Sequence, residues 1–277
     1  MPDRFTVEDR IAATIDHGVA DISLARPEKL NTLDHQMFEA IVAAADWVAR
    51  REDVRAVVLR GEGNAFCAGL DLSSASEMFS GTLDIANPVR GDTNLYQLAA
   101  MVWHDLSVPV IAALHGVAFG GGLQIALGAD IRICTANTRL SLMEMRWGIV
   151  PDMGASVLLR DLMRPDQIRD LYYTARIIEG PEAEKMGLVT HLTEDPVAEA
   201  FAMARLVAEN NPSAVRAAKR IANLIPGSER SDALRMEREE QHAIIAGGRP
   251  AGILREYLED RKKYRAADQG ARDKHRI

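Results

Sequence analysis

The sequence predicts an α/β fold, and three observations carry that expectation. Short apolar strands alternate with helical periodicity over the first part of the chain. Helical patterning alone takes over after about Leu158. Glycine-rich turns stand where strands give way to helices.

The elements follow in order. "IAATIDHGVADISL", residues 11–24, alternates on both sides of His17-Gly18 and reads as a β-hairpin. "RPEKLNTLD" is a loop ending at Asp34, which is placed to cap the amphipathic helix in "DHQMFEAIVAAADWVARRED". "VRAVVLRG" is a buried strand ending at Gly61, and "GEGNAFCAGLDLSS" is a loop turning towards a helix. Residues 74–97, with Gly81, Pro88 and Gly91, read as a variable or mobile insertion. "PVIAALHG" is a strand, a glycine triplet and a helix through Leu127 follow, and "DIRICT" is a further strand. The alternation suggests stacked ββα-like units, with a core at roughly 1–200 and a helical region over 201–277.

The chain has 277 residues, is 47% hydrophobic and 26% charged, which excludes general disorder and allows a sizeable core. A net charge of −7 argues against nucleic acid or an anionic membrane as partner. Cys67 and Cys134 lie in apolar contexts outside any CxxC, as buried free thiols of a reducing compartment do. No metal-ligand pattern is apparent. With no leader-like apolar segment and no long apolar run, the expected location is cytoplasmic.

The triplet in "HGVAFGGGLQIALGADIRIC" needs a reason, because adjacent glycines weaken any element they enter. Phosphate binding fits poorly, since "GEGNAF" lacks the third glycine of a dinucleotide fingerprint and no GK[ST] follows. An oxyanion site fits better. Unpaired N–H groups at the helix start and in "FCAGLDL" could converge on one oxygen, each worth about 3–4 kcal/mol to a developing negative charge. The same residues also suit two tight packing turns, and spacing alone leaves both readings open.

Five motifs in order, "RPEKLNTLD", "GEGNAFCAGLDL", "HGVAFGGGLQIALGADIRI", "EMRWGIVPDMGAS" and "ARIIEGPEAEKMGLVTH", resemble the crotonase superfamily, the enoyl-CoA hydratase/isomerase family, along nearly the whole chain. The resemblance implies a crotonase-like spiral of ββα units with C-terminal helices that mediate trimerisation, as a homotrimer or a dimer of trimers. It implies acyl-CoA thioester substrates and no separate cofactor, coenzyme A arriving as part of the substrate. Leu70 and Gly121 would supply the oxyanion N–H groups. Lys29, Leu30, Ala68 and Asp71 would lie along CoA, and Lys262 or Lys263 could meet its phosphates in a neighbouring subunit.

Hydratases of the family use two glutamates. Glu144 in "EMRWGIVP" matches the second, but Gln124 stands where the first belongs. An amide can position water or a substrate oxygen, yet it cannot carry a proton, and on the inner face of a helix it equally suits a satisfied polar place in the core. Asp152 falls where the family's dienoyl-CoA isomerases place a further aspartate, although it also suits a helix cap. Catalysis thus rests on Glu144, whose apolar context suggests a raised pKa, with a structural ion pair as its alternative. The expected activity is enoyl-CoA double-bond isomerisation. The alternatives are an enoyl-CoA hydratase, or a non-catalytic acyl-CoA-binding protein. His115 reads as structural, and Cys67 has no histidine partner that would make it a nucleophile.

Overall fold

Apolar side chains at alternate positions build the first strands. In the computed structural model, which describes residues 3–7, 9–73, 84–225, 227–248, 250–255 and 257–259, β2 (Ile11–Asp16) and β3 (Val19–Leu24) form the expected antiparallel hairpin. Its turn holds His17 and Gly18 at positive φ, as a two-residue hairpin turn demands. An additional strand, β1 (Asp3–Val7), pairs with β2 at the sheet edge. Helix α1 (His35–Ala49) starts where expected, the Asp34 carboxylate accepting the Met37 N–H at 2.9 Å. Its Met37, Phe38, Ile41, Ala44 and Val48 face the core.

β4 (Ala56–Gly61), β5 (Val110–Leu114), β7 (Ile131–Cys134) and β10 (His191–Leu192) continue this sheet in parallel, giving the order β1-β2-β3-β4-β5-β7-β10. Parallel neighbours need crossover connections, which the intervening helices supply. A second, three-stranded sheet has the order β6 (Val117–Phe119), β8 (Arg139–Ser141), β9 (Ile178–Glu179). Two isolated parallel bridges, Leu33 with Leu70 and Cys67 with Ala118, extend this second layer back towards the N-terminus. Each turn of the chain therefore places one strand in the large sheet and one short segment in the second layer, and then a helix. This is the ββα repetition anticipated from the strand–helix alternation.

The insertion expected over 74–97 ends sooner than its Pro and Gly punctuation implies. Asn94 and Gln97 close a capping box that starts α2 (Leu95–Asp105), and Tyr96 and Trp103 bury themselves in the core. Residues 74–83 lie outside the described residues. Helix α3 (Gly121–Leu127) starts inside the triplet, with Gly120 as its cap.

The later part is helical, as expected, apart from β9 and β10. It comprises α4 (Ala155–Leu158), α5 (Pro165–Thr174), α6 (Gly180–Met186), α7 (Pro196–Glu209), α8 (Pro212–Leu224) and α9 (Arg230–Ala246). The cap of α4 is Gly154, so Asp152 has no capping task there. The chain divides into compact units at Met1–Val215 and Arg216–Ile277. In the first, α7 lays Ala200 and Ala204 on Val58, Ile111, Ala113 and Ile133 of the large sheet, alanines letting helix and sheet approach closely. In the second, Arg220 of α8 forks onto Glu240 of α9. Cys67 and Cys134 are buried and free. Among the described residues no helix is long and apolar enough to cross a membrane.

Candidate active site

The second layer sets the geometry of the site. Cys67 pairs with Ala118 in parallel and its carbonyl accepts the Phe119 N–H at 3.0 Å, so the segment that leads to Leu70 runs beside the one that leads to Gly121. The Leu33 N–H donates to Gly69 O at 2.8 Å, and the Leu33 carbonyl accepts from Asp71 N at 2.9 Å. These bonds use the groups on either side of Leu70 and turn its own N–H away from Leu33. Gly69 holds φ 90°, a conformation suited to glycine, and a Cβ there would stand 2.7 Å from Phe119 O. Neither the Leu70 nor the Gly121 N–H has an acceptor among the described residues.

The triplet now has its reason. Gly120 turns the chain at φ 51° and ψ −124°, a conformation suited to glycine, with Glu144 Oε1 3.4 Å from where a Cβ would sit. A Cβ on Gly121 would meet Met153 Sδ at 2.8 Å and Leu33 Cδ1 at 2.9 Å, and one on Gly122 would meet Cys67 O at 2.6 Å. The first glycine serves the turn, and the other two let three segments close together.

These segments wall a cavity of about 740 Å³. Leu70, Gly121, Glu144 and Asp152 all line it, as do Lys29, Ala68 and Asp71. Leu30 does not. It is exposed, and its carbonyl accepts the Ala68 N–H at 2.9 Å, so its part is to hold the loop. Lys262 and Lys263 lie outside the described residues.

Glu144 opens a short 3₁₀ turn, Glu144–Trp147, and is buried. Burial raises its pKa, and the charge of Asp152 adds to the rise, against the lowering effect of hydrogen bonds from its backbone and from Gln124. Asp152 keeps accessible surface because it faces the cavity, yet the surrounding protein desolvates it and raises its pKa too. Two carboxyls that resist ionisation therefore share one chamber, an arrangement suited to proton transfer.

Gln124, expected to position water or a substrate oxygen, has both polar atoms engaged inside the protein. It is fully buried and does not line the cavity. Its Nε2 donates to Glu144 Oε1 at 2.6 Å, and its Oε1 accepts the Met153 N–H at 2.8 Å. The Met153 N–H can only donate, so this pair of bonds fixes which amide atom is the oxygen.

Asp71 lines the cavity with its carboxylate already taken. The hydroxyl and N–H of Ser73, at 2.6 and 3.0 Å, and Arg26 at 3.1 Å hold its pKa down to about 2, against the effect of burial. Arg26 also reaches Asp34 at 3.1 Å and Thr32 O at 2.8 Å, so this buried guanidinium ties the start of α1 to the residue after Leu70. His115 has the structural part expected of it, its Nε2 2.9 Å from Gly63 O. The Cys67 thiol donates to Asn31 O at 3.0 Å, and burial pushes its pKa up to about 12.

Sequence reasoning missed Tyr96 and Trp147, which both line the cavity. The Asn94-x-x-Gln97 capping box could have announced the helix that carries Tyr96. Trp147 was in view inside "EMRWG", but only the 3₁₀ turn brings it round to the wall that carries Glu144.

The family model described as enoyl-CoA hydratase/isomerase matches residues 14–266. A mitochondrial Delta(3,5)-Delta(2,4)-dienoyl-CoA isomerase of Dictyostelium discoideum is 28% identical over 214 residues, 74% of this chain and 73% of that protein. Among solved structures, the enoyl-CoA hydratase of Bacillus anthracis aligns with a TM-score of 0.77 at 29% identity, covering 86% of this chain and 91% of that one. A protein of Thermobifida fusca YX solved in complex with CoA aligns at 0.76 and 27% identity, covering 88% and 98%.

Proposed function

Since the chain belongs to the enoyl-CoA hydratase/isomerase family, we propose that it binds enoyl-CoA thioesters and moves their double bond. The thioester oxygen would accept the Leu70 and Gly121 N–H groups, which lack other acceptors among the described residues. Held there, it stabilises the negative charge that develops when a proton leaves C2. Glu144 takes that proton, and the electron pair spreads over a dienolate. Return of a proton to C4 leaves the double bond between C2 and C3. A carboxyl with a raised pKa suits both halves, because it gives the proton back readily. The chemistry moves protons only, and CoA enters with the substrate, as the CoA complex of the Thermobifida relative supports.

The observation that carries this reading is Gln124. Hydration by a glutamate pair needs a second proton carrier at that position, and here an amide is bonded to Glu144 and to Met153 N. A second reading, hydration, is favoured by Asp152, a carboxyl with a raised pKa on the same cavity that could hold the attacking water. Proton NMR in D₂O with 3-hexenoyl-CoA and, separately, crotonyl-CoA separates the two. Isomerisation predicts double-bond migration with deuterium entering the chain, slowed about 10²–10⁴-fold in Glu144→Gln. A hydroxyl at C3 of crotonyl-CoA with the 3-enoyl substrate untouched would establish hydration instead.

A further inference from the structure

Glu144 Oε1 is held by Gln124, but its Oε2 is buried with no hydrogen-bond partner. A second buried orphan lies nearby, the hydroxyl of Tyr172. Tyr172 belongs to α5, which packs against the 3₁₀ turn that carries Glu144. Buried polar atoms almost always find partners, so two orphans on packed elements call for an explanation. We propose that Tyr172 is a positioning residue for Glu144, its hydroxyl donating to Oε2 when the carboxylate is charged.

A carboxylate has two acceptor oxygens and a phenol one O–H, so the pair satisfies itself with no third group. The Glu144 charge reaches Tyr172, whose pKa it helps burial to raise. The other groups about Glu144 leave Oε2 to this donor. Gln124 is neutral and committed to Oε1, Asp152 when charged repels the Glu144 charge, and Arg146 in the same turn gives its Nε to Ala175 O at 3.1 Å. Together Gln124 and Tyr172 would grip both oxygens, fix the carboxyl plane towards the cavity, and keep the charged form within reach.

The inference rests on Glu144 being the proton carrier, but its test needs no substrate and so can fail independently. Infrared titration follows the protonated Glu144 carboxyl, assigned by its absence in Glu144→Gln. A hydroxyl that donates to the charged form favours it, so Tyr172→Phe should move the titration to higher pH. Gln124→Leu, which removes the donor to Oε1, should move it the same way. In the wild type the tyrosine C–O band should shift in step with Glu144 ionisation, a readout that needs no change at Tyr172. A titration that does not move in Tyr172→Phe, with the melting temperature equal or higher, would show a true orphan and overturn the proposal. So would a tyrosine band indifferent to Glu144.

Discussion

Adding one methyl group at Gly121 probes the proposed oxyanion site without deleting a side chain. Gly121 is the first residue of α3 and its φ is not positive, so alanine suits the backbone and only space is at stake. The new Cβ would stand 2.8 Å from Met153 Sδ and 2.9 Å from Leu33 Cδ1. Reaching ordinary contact near 3.4 Å requires movements of about 0.5–0.6 Å between these groups and the glycine turn. Both neighbours are the ends of flexible side chains, so part of the strain relaxes away from the backbone. The remainder tilts the Gly121 N–H and nudges Met153, whose own N–H orients Gln124. Losing one oxyanion donor outright costs about 10²–10³ in kcat, so a partial displacement should cost about 10–10². Because the donor acts most strongly on the developing charge, the loss belongs in kcat with KM little changed. Deuterium-exchange kinetics with 3-hexenoyl-CoA would read it, with circular dichroism checking that the variant is folded. Wild-type kcat in a folded Gly121→Ala protein would refute the role assigned to that N–H.

The remaining expectations concern groups behind the cavity wall. The folded-state pKa of Asp71 is lowered to about 2 from 3.8, so its contribution is present above the unfolded value and is lost as pH falls towards 2. That difference amounts to about 2 kcal/mol. Asp71→Asn should therefore lower urea stability by about that much at neutral pH, with the gap closing between pH 4 and pH 2. A gap that stays constant over that range would mean that the Asp71 charge is not what Ser73 and Arg26 stabilise. Cys67, with its thiol pushed up to about 12, should resist thiol reagents in the native protein and react fully only in denaturant. Rapid native labelling at Cys67 would contradict its burial beneath Gly122.

What the sequence disclosed and what it withheld divide along local and non-local physics. Asp34 and the His17-Gly18 turn act on residues within a few positions of themselves, so their cap and hairpin were legible. The burial of Glu144 on the cavity was legible from its apolar flanks and from the resemblance that "EMRWGIVP" carries. β1 was not, since Asp3, Arg4 and Thr6 leave only Phe5 and Val7 to signal an edge strand. The two-residue strands β9 and β10 are too short to show any period and exist because neighbours already in place pair with them. Asn94 was hidden by the Pro and Gly that precede it. The bonds of Gln124 could not be foreseen, because Met153 comes to it from a segment distant in sequence.

The register of the second layer has a consequence for how the chain can change its length. The Cys67–Ala118 bridge and the bond from the Phe119 N–H to Cys67 O hold side by side the segments that lead to Leu70 and Gly121. One residue added between Cys67 and Leu70 would leave every strand of the large sheet in place and still part the two N–H groups. Added after Ser73, whose N–H and hydroxyl donate to Asp71, the same residue would leave the count from Cys67 to Asp71 unchanged. The few residues from Cys67 to Asp71 must therefore keep count, whatever length the chain takes elsewhere.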